Sequence, residues 1–270
     1  MAEIIDTHYP RILYSRISKK TMEGELFIKQ HSFDYIISGT STVFFNNKKT
    51  TFKAGDLRFA IRNRLSRFIK TPPENGEYRS VSICVDQSTL VDIAKQNQYI
   101  KSIKNSQEYE NLISLRFHKR FENYIDTLIP YLEEGAASKQ LIEVKVKEAV
   151  LIFMGSNPEL KDILFDFSEP GKIDLEAYMN QHYAYNGELN DFAYLTGRSL
   201  STFRRDFKKI FKTTPNRWLI NKRLENAHYL LKEKGMKPNE VFIDAGFKDY
   251  SHFSVKFKEK FGIPPSLLNM

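Results

Sequence analysis

The sequence predicts a two-domain α+β protein, in which a strand-rich first half with flanking helices is followed by an all-α second domain. Three observations lead to this prediction. Short strand-like runs separated by turn signals extend to about Val85. Helical spacing of apolar residues replaces them after Ser88. The positive charge lies at one end, since residues 1–188 hold 25 Lys+Arg and 25 Asp+Glu while residues 189–270 hold 16 and 8.

Length and composition set the broad class. A chain of 270 residues is long enough for two domains, and 41% hydrophobic with 27% charged residues is typical of a soluble globular protein. No apolar run approaches the roughly 20 residues of a membrane helix, and no charged leader precedes an apolar segment. The one cysteine, Cys84, has no partner for an internal disulfide. We therefore expect a cytoplasmic protein.

The first half contains the stretch "FDYIISGTSTVFFNNKKTTFKAGDLRFAI", where short apolar runs alternate with turn residues. Asn46-Asn47 predicts a hairpin turn, because asparagine tolerates positive φ. The proline and glycine content of "KTPPENGEY" at 70–78 predicts a loop. Several short strands of this kind, together with "AGDL", predict a small cupin-like β-barrel.

Helices are predicted from Ser88 onward, with Ser88 and Ser138 as N-caps. The segment "GSNPELKDILFDFSEPGK" contains two prolines and two glycines and is typical of a linker. The predicted domains are a cupin-like domain with carboxy-terminal helices at 1–155, a linker at 156–171, and an all-α domain at 172–270.

The last domain contains a repeat with a period of fifty residues. Phenylalanines four residues apart recur in register, and a short helix with a glycine-containing turn precedes each set; the sets are Phe203, Phe207, Phe211 and Phe253, Phe257, Phe261. Helix, tight turn and second helix make a helix-turn-helix unit. The aromatic side of the second helix faces the domain, and its lysines and arginines face DNA phosphates.

A long helix is predicted between the two units, in "PNRWLINKRLENAHYLLKEKG" from Pro215 to Gly235. Its apolar residues fall on one side: Trp218, Leu219, Leu224, Ala227 and Leu231. About 20 residues form a rod of roughly 30 Å. One turn of B-DNA is about 34 Å, so this connector would place two recognition helices in successive major grooves.

The stretches "AGFKDYSHFSVKFKEKFGIPPS" and "GRSLSTFRRDFKKIFKTTPNRWL" resemble the two helix-turn-helix units of the AraC/XylS transcription regulators. The resemblance covers about residues 172–268. It implies a seven-helix domain that binds double-stranded DNA, contacts RNA polymerase and activates transcription. It also implies a front half that binds a ligand and forms a homodimer.

The resemblance assigns contacts residue by residue. It implies that bases are read by Ser201, Arg204, Arg205, Tyr250, Ser251, Ser254 and Val255. It implies phosphate contacts from Thr202, Lys208, Lys248, Lys256 and Lys258. Two positions depart from the family pattern. Phe242 stands where a small residue is usual, and Val255 stands where an arginine is common, so we expect weaker base readout by the second unit.

The function of the first half remains open in the sequence. Only two of six histidines lie in the strand region, and no His-x-His occurs, so we expect no enzyme, metal or cofactor. One hypothesis is a sensor that binds a small molecule. A positive cluster in the strand region would suit an anionic ligand: Arg58, Arg62, Arg64, Arg67 and Lys70. The alternative is a scaffold that dimerises, through the helical stretch 139–154, or binds a regulatory protein. An architectural DNA-binding protein is a further alternative for the whole chain.

Overall fold

The computed structural model describes residues 11–45, 48–99, 112–115, 119–134 and 138–268. The predicted turn at Asn46-Asn47 lies outside them. The chain divides into two compact units. The amino-terminal unit contains the described residues up to Thr21 and Ile28–Ser168, and the carboxy-terminal unit contains Met22–Phe27 and the described residues from Glu169 on. None of the helices in the described ranges has the length and hydropathy to cross a membrane.

The described strands form two antiparallel sheets. They are β1 (Arg11–Ile17), β2 (Thr21–Ile28), β3 (His31–Ser38), β4 (Thr40–Phe45), β5 (Lys48–Lys53), β6 (Leu57–Ala60), β7 (Arg64–Thr71), β8 (Tyr78–Val85) and β9 (Leu112–Ser114). The strand orders are β1-β8-β3-β6-β9 and β2-β7-β4-β5. The α+β class is confirmed, but the predicted barrel is not closed. No ladder between described strands joins the edges of one sheet to those of the other, and the short strand β9 and the strand β1 end the first sheet.

Both faces of the first sheet are buried, which explains why its strands alternate weakly in sequence. One face packs on the second sheet through a cluster that includes Ile36, Tyr78, Val43 and Phe52. The other face packs on helices, with Phe33 and Phe59 beneath Phe153 at ring distances of 4.6 and 5.0 Å. A sheet covered on both sides uses apolar residues on both sides.

The helices are α1 (Gln87–Gln96), α2 (Lys119–Glu134), α3 (Lys139–Ser156), α4 (Lys161–Leu164), α5 (Leu175–His182), α6 (Leu189–Leu195), α7 (Leu200–Phe211), α8 (Pro215–Lys232), α9 (Pro238–Asp244) and α10 (Tyr250–Phe261). Ser138 caps α3 as predicted. The predicted cap at Ser88 is wrong: Asp86 caps α1, and Ser88 lies in the first turn and donates to the Asp86 carboxylate. The Asp86 carboxylate accepts hydrogen bonds from both the N–H and the hydroxyl of Thr89, which favours a helix that begins at Gln87.

Part of the predicted linker is packed structure. A 3-10 turn at Pro158–Leu160 leads into α4, and Leu160, Leu164 and Phe165 are buried in the core of the amino-terminal unit. That unit ends at Ser168, inside the predicted 156–171 segment. The domain limits given by the sequence stay a prediction.

Three of the five cations in the predicted positive cluster have partners within the amino-terminal unit. Arg58 is buried between the sheets, where it pairs with Asp34 at 3.3 Å and lies over the rings of Phe52 and Phe68. Arg62 lies past the end of β6 and donates to the Asp166 and Ser168 carbonyls. Arg67 lies over the ring of Phe44 at 5.4 Å. Arg58, Arg62 and Arg67 thus have separate partners, and a ligand site built from all five cations stays a prediction.

His31 is a buried imidazole held in its neutral form. Its Nδ1 accepts the backbone N–H of Arg62 at 3.3 Å, and its ring stacks on Phe59 at 5.0 Å. Burial, with the nearby Arg62 charge, lowers the pKa of His31 to about 3. Between about pH 6.5 and 3 the unfolded chain binds a proton at His31 that the folded chain does not bind. The stability that neutral His31 contributes is therefore complete above about pH 6.5 and is lost as the pH falls toward 3.

We predict that His31→Asn reduces the loss of stability on acidification. Asparagine retains an acceptor for the Arg62 N–H but does not titrate. Between about pH 6 and 4 the wild type should lose up to about 1.4 kcal/mol of unfolding free energy per pH unit more than the variant. Denaturant unfolding at several pH values measures this slope. His252→Asn, at an exposed histidine, is the control and should leave the slope unchanged. Equal slopes for wild type and His31→Asn would contradict the assignment.

Candidate nucleic-acid interface

The first recognition helix, α7, begins at a well-defined cap. The Ser199 hydroxyl accepts the N–H of Thr202 at 3.3 Å and also contacts the hydroxyls of Ser201 and Thr202. The turn before it contains Gly197, whose φ of +65° favours glycine. A β-carbon on Gly197 would lie 2.4 Å from the carbonyl of Gly171, so the incoming chain packs directly on this turn.

One side of α7 is fixed in the core by aromatic rings. Phe203 and Phe207 are fully buried, and Phe211 packs on the ring of Trp218 at 4.7 Å. The predicted contact residues Ser201, Arg204, Arg205 and Lys208 are exposed on the other side, while Thr202 is half-buried at the cap. The helix therefore presents two adjacent guanidinium groups to solvent on an immobilised backbone.

Asp206 lies among the cations of α7. Its carboxylate accepts from Arg198, whose side chain is almost fully buried, at 3.2 Å, and it lies 3.8 Å from Arg205 Nε and 3.9 Å from Lys172 Nζ. Arg198 also donates to the carbonyls of Ile173 and Thr196, so its role is structural. The side chain of Arg205 is 77% exposed, which leaves it free to reach a ligand.

The second recognition helix, α10, has the same buried side but a different start. Phe253 and Phe257 are fully buried, and Phe261 packs on His228 at 4.7 Å. Its N-cap is Asp249, which accepts the N–H of His252 at 2.7 Å. A carboxylate therefore stands at the start of α10 where α7 has a neutral serine.

The predicted contacts of α10 are less accessible than those of α7. Ser251, Val255, Lys258 and the turn residue Lys248 are exposed, but Tyr250, Ser254 and Lys256 are half-buried.

Two of these half-buried side chains have partners inside the unit. The ring of Tyr250 packs edge-on against Phe242 at 5.6 Å, which is how the unit accommodates this large residue. The ammonium of Lys256 pairs with Glu259 at 2.7 Å. The DNA-contact roles of both sets stay predictions.

Two cations that form hydrogen bonds within the carboxy-terminal unit were not predicted from the sequence. Arg223, in the middle of α8, is buried and donates to the carbonyls of Tyr183 and Tyr185. Lys260 donates to Glu225 and to the Asn221 carbonyl on α8. Arg223 had a signal, because Pro215, Leu219, Ala227 and Leu231 are all buried at four-residue spacing, and position 223 completes that row.

Comparison with known proteins agrees with this geometry. Residues 192–269 match a helix-turn-helix domain family, and residues 31–163 match the ExsA N-terminal regulatory domain family. The two matches confirm the resemblance to the AraC/XylS transcriptional regulators, a family of regulators and not of enzymes.

Individual relatives cover parts of the chain. It is 30% identical over 125 residues to the HTH-type transcriptional regulator ExsA of Pseudomonas aeruginosa, covering 46% of this chain and 45% of ExsA. It is 26% identical over 144 residues to the virulence regulon transcriptional activator VirF of Yersinia enterocolitica, 53% of each chain. The chain thus spans about half the length of these relatives. A crystal structure of ToxT from Vibrio cholerae is similar with a TM-score of 0.45 and 17% identity, covering 96% of this chain and 97% of ToxT.

We predict that Lys208→Ala weakens binding to all DNA sequences alike. Each phosphate neutralised adds nearly one unit to the slope of log affinity against log salt, so the loss of one lysine contact should flatten that slope by about one unit. Fluorescence anisotropy with the full chain at several salt concentrations measures it. Lys95→Ala removes the same charge from α1 and should change the slope little. A slope near zero for the wild type would contradict the electrostatic part of the interface.

Proposed function

We propose that this chain is a sequence-specific DNA-binding regulator, an activator of transcription, that places α7 and α10 in successive major grooves. The single observation that carries the proposal is the pair of recognition helices, each backed by two fully buried phenylalanines and joined by α8. The net charge of +8, all of it after residue 188, provides the attraction for a polyanion. RNA polymerase is the second partner that the family resemblance implies. The proposed location is the cytoplasm, where the chain would encounter both DNA and RNA polymerase.

The amino-terminal unit is proposed to control this activity and to form the homodimer. Residues 31–163 match a family described as a regulatory domain, which supports control. Support for dimerisation comes from α3, because Val146, Val150 and Phe153 fill the core on one side while Val144 and Leu151, two turns apart, are 61% and 52% exposed. Exposed apolar side chains in register on one helix face favour contact with a second copy.

The nature of the regulatory signal is a finer proposal. The buried Tyr78 hydroxyl has no hydrogen-bond partner among the described residues, and the Tyr78 side chain belongs to the cluster between the two sheets. Buried hydroxyls are normally paired, so this group favours a small polar effector over a purely protein signal. Arg58 and Asp34 already satisfy each other, which argues against a strongly anionic effector.

A specificity measurement separates the proposed function from an architectural role. Selection of binding sites from random DNA with the full chain, followed by titration of selected and unrelated duplexes, should give a ratio of affinities of about a thousand or more. A ratio of only a few-fold would favour the architectural alternative and overturn the proposal.

We predict that the two halves of the selected site are read unequally. An arginine gripping guanine discriminates by about 1–3 kcal/mol, whereas a methyl contact or one hydroxyl bond gives less. Base changes under α7 should therefore cost more than those under α10, where Tyr250 and Ser254 are half-buried and Asp249 brings negative charge. Arg205→Ala should relax preference at one base pair, and Val255→Ala should do little. Titration of every single-base variant tests this, and equal losses in both halves would contradict it.

We predict that Val144→Glu combined with Leu151→Glu converts the dimer to a monomer. Both side chains are exposed, so the fold should survive, while carboxylates placed at an apolar contact should prevent association. Sedimentation velocity of the full chain over a range of concentrations measures the change. Leu267→Glu, at a leucine 49% exposed, is the matched control and should remain dimeric. A wild type that stays monomeric at high concentration, or a double variant that stays dimeric, would exclude this interface.

A further inference from the structure

One loop of the first helix-turn-helix unit receives contacts from both the connector and the second unit. This stretch, Tyr183–Tyr185, begins the connection from α5 to α6 and is called the junction loop below. The Arg223 guanidinium on α8 donates from Nε to the Tyr183 carbonyl at 2.8 Å and from Nη2 to the Tyr185 carbonyl at 2.7 Å. Both acceptors belong to the same short stretch of backbone, so a single side chain fixes the loop at its two ends.

Arg223 holds this position without a counter-ion. It is 8% exposed, and within the described part of the chain it forms no salt bridge. Burial lowers its pKa to about 10, so the guanidinium remains charged at neutral pH. A buried charge is tolerated only when its donors are satisfied, and here two backbone carbonyls provide that satisfaction. Arg223 and the junction loop therefore depend on each other.

The second unit touches the same loop at its centre. Gly246, in the turn between α9 and α10, has a φ of +94°, and a β-carbon built on it would lie 2.4 Å from the Ala184 carbonyl oxygen and 2.9 Å from the Ala184 carbonyl carbon. Only glycine permits this approach. The turn that positions α10 thus packs on the backbone of the first unit.

The junction loop is also anchored inside its own unit. Tyr185 is buried, its ring packs on Phe192 at 5.2 Å, and its hydroxyl donates to the Asp191 carboxylate at 2.5 Å. Asp191 lies on α6, the helix that precedes recognition helix α7. A continuous set of contacts therefore connects α6, the junction loop, α8 and the turn before α10.

We propose that Arg223 and Gly246 are positioning residues that fix the spacing between the two recognition helices, and so determine which half-site spacing the protein accepts. This inference rests on the proposed function. One base pair moves a half-site by about 3.4 Å along the DNA and turns it by roughly 36°. A pair of helices held rigidly cannot follow that displacement, whereas a pair joined loosely can.

The test uses the full chain and a selected DNA site in three forms, with the native spacer and with one base pair inserted or deleted between the half-sites. For the wild type, either change should disengage one recognition helix and reduce affinity at least about tenfold. Arg223→Met retains the aliphatic packing but removes both donors, and Gly246→Ala drives the turn away from Ala184. In both variants the penalty for a changed spacer should fall to about threefold or less, with single-base preferences retained within each half-site.

Two further variants keep the test decisive. Arg217→Met removes an exposed arginine from the same helix and should leave the spacer penalty at the wild-type value. Arg223→Lys retains a charge and one donor group and should give an intermediate penalty, and it replaces Arg223→Met if the latter fails to fold.

The outcomes separate the inference from the function on which it rests. An unchanged spacer penalty in Arg223→Met, or in Arg223→Lys and Gly246→Ala together, would overturn the inference. A wild type that tolerates every spacer while binding its selected site would also overturn the inference and leave the proposed function intact. Failure to select any preferred sequence would overturn the proposed function itself.

Discussion

The carboxy-terminal unit depends on the burial of aromatic rings beneath two short helices. Helices of 12 residues such as α7 and α10 are marginal on their own, because nucleation costs more than so few backbone hydrogen bonds return. Phe203 and Phe207 under one helix, and Phe253 and Phe257 under the other, supply the stabilisation that the backbone lacks, at about 1.5–3 kcal/mol for each buried side chain. The exposed sides are then free to carry residues chosen for binding.

The cations of this unit divide into two groups by environment. Arg204, Arg205, Lys208 and Lys258 are exposed to solvent, whereas buried or partly buried cations such as Arg198 and Arg223 donate hydrogen bonds to carbonyls within the unit. An arginine can serve in the interior because its planar group satisfies several acceptors at fixed angles. Fewer cations are therefore exposed to solvent, and available to a polyanion, than a count of basic residues suggests.

The amino-terminal unit follows a different plan, in which one sheet is enclosed by a second sheet and by helices. That enclosure buries polar groups such as Arg58, Asp34 and the neutral His31, each held by a specific partner. Enclosure also leaves α3 with its two sides in different environments. The same helix thus supports the core with Phe153 and exposes the apolar side chain of Val144.

The sequence by itself determined the α+β class, the repeat of two helix-turn-helix units, the Ser138 cap and the family, because each rests on local spacing that survives in any context. It did not determine the open pair of sheets or the separate partners of Arg58, Arg62 and Arg67, because these depend on which strand edges meet and which elements pack together. The Asp86 cap is local, but Asp86 and Ser88 are both residue types that favour an N-cap, so the sequence did not decide between them. Only the tertiary structure brought Arg223 to Tyr183 and Tyr185, and Gly246 to Ala184, across about 40 and 60 residues of chain. Contacts between backbone carbonyls and distant residues leave no periodic trace, since any residue supplies a carbonyl.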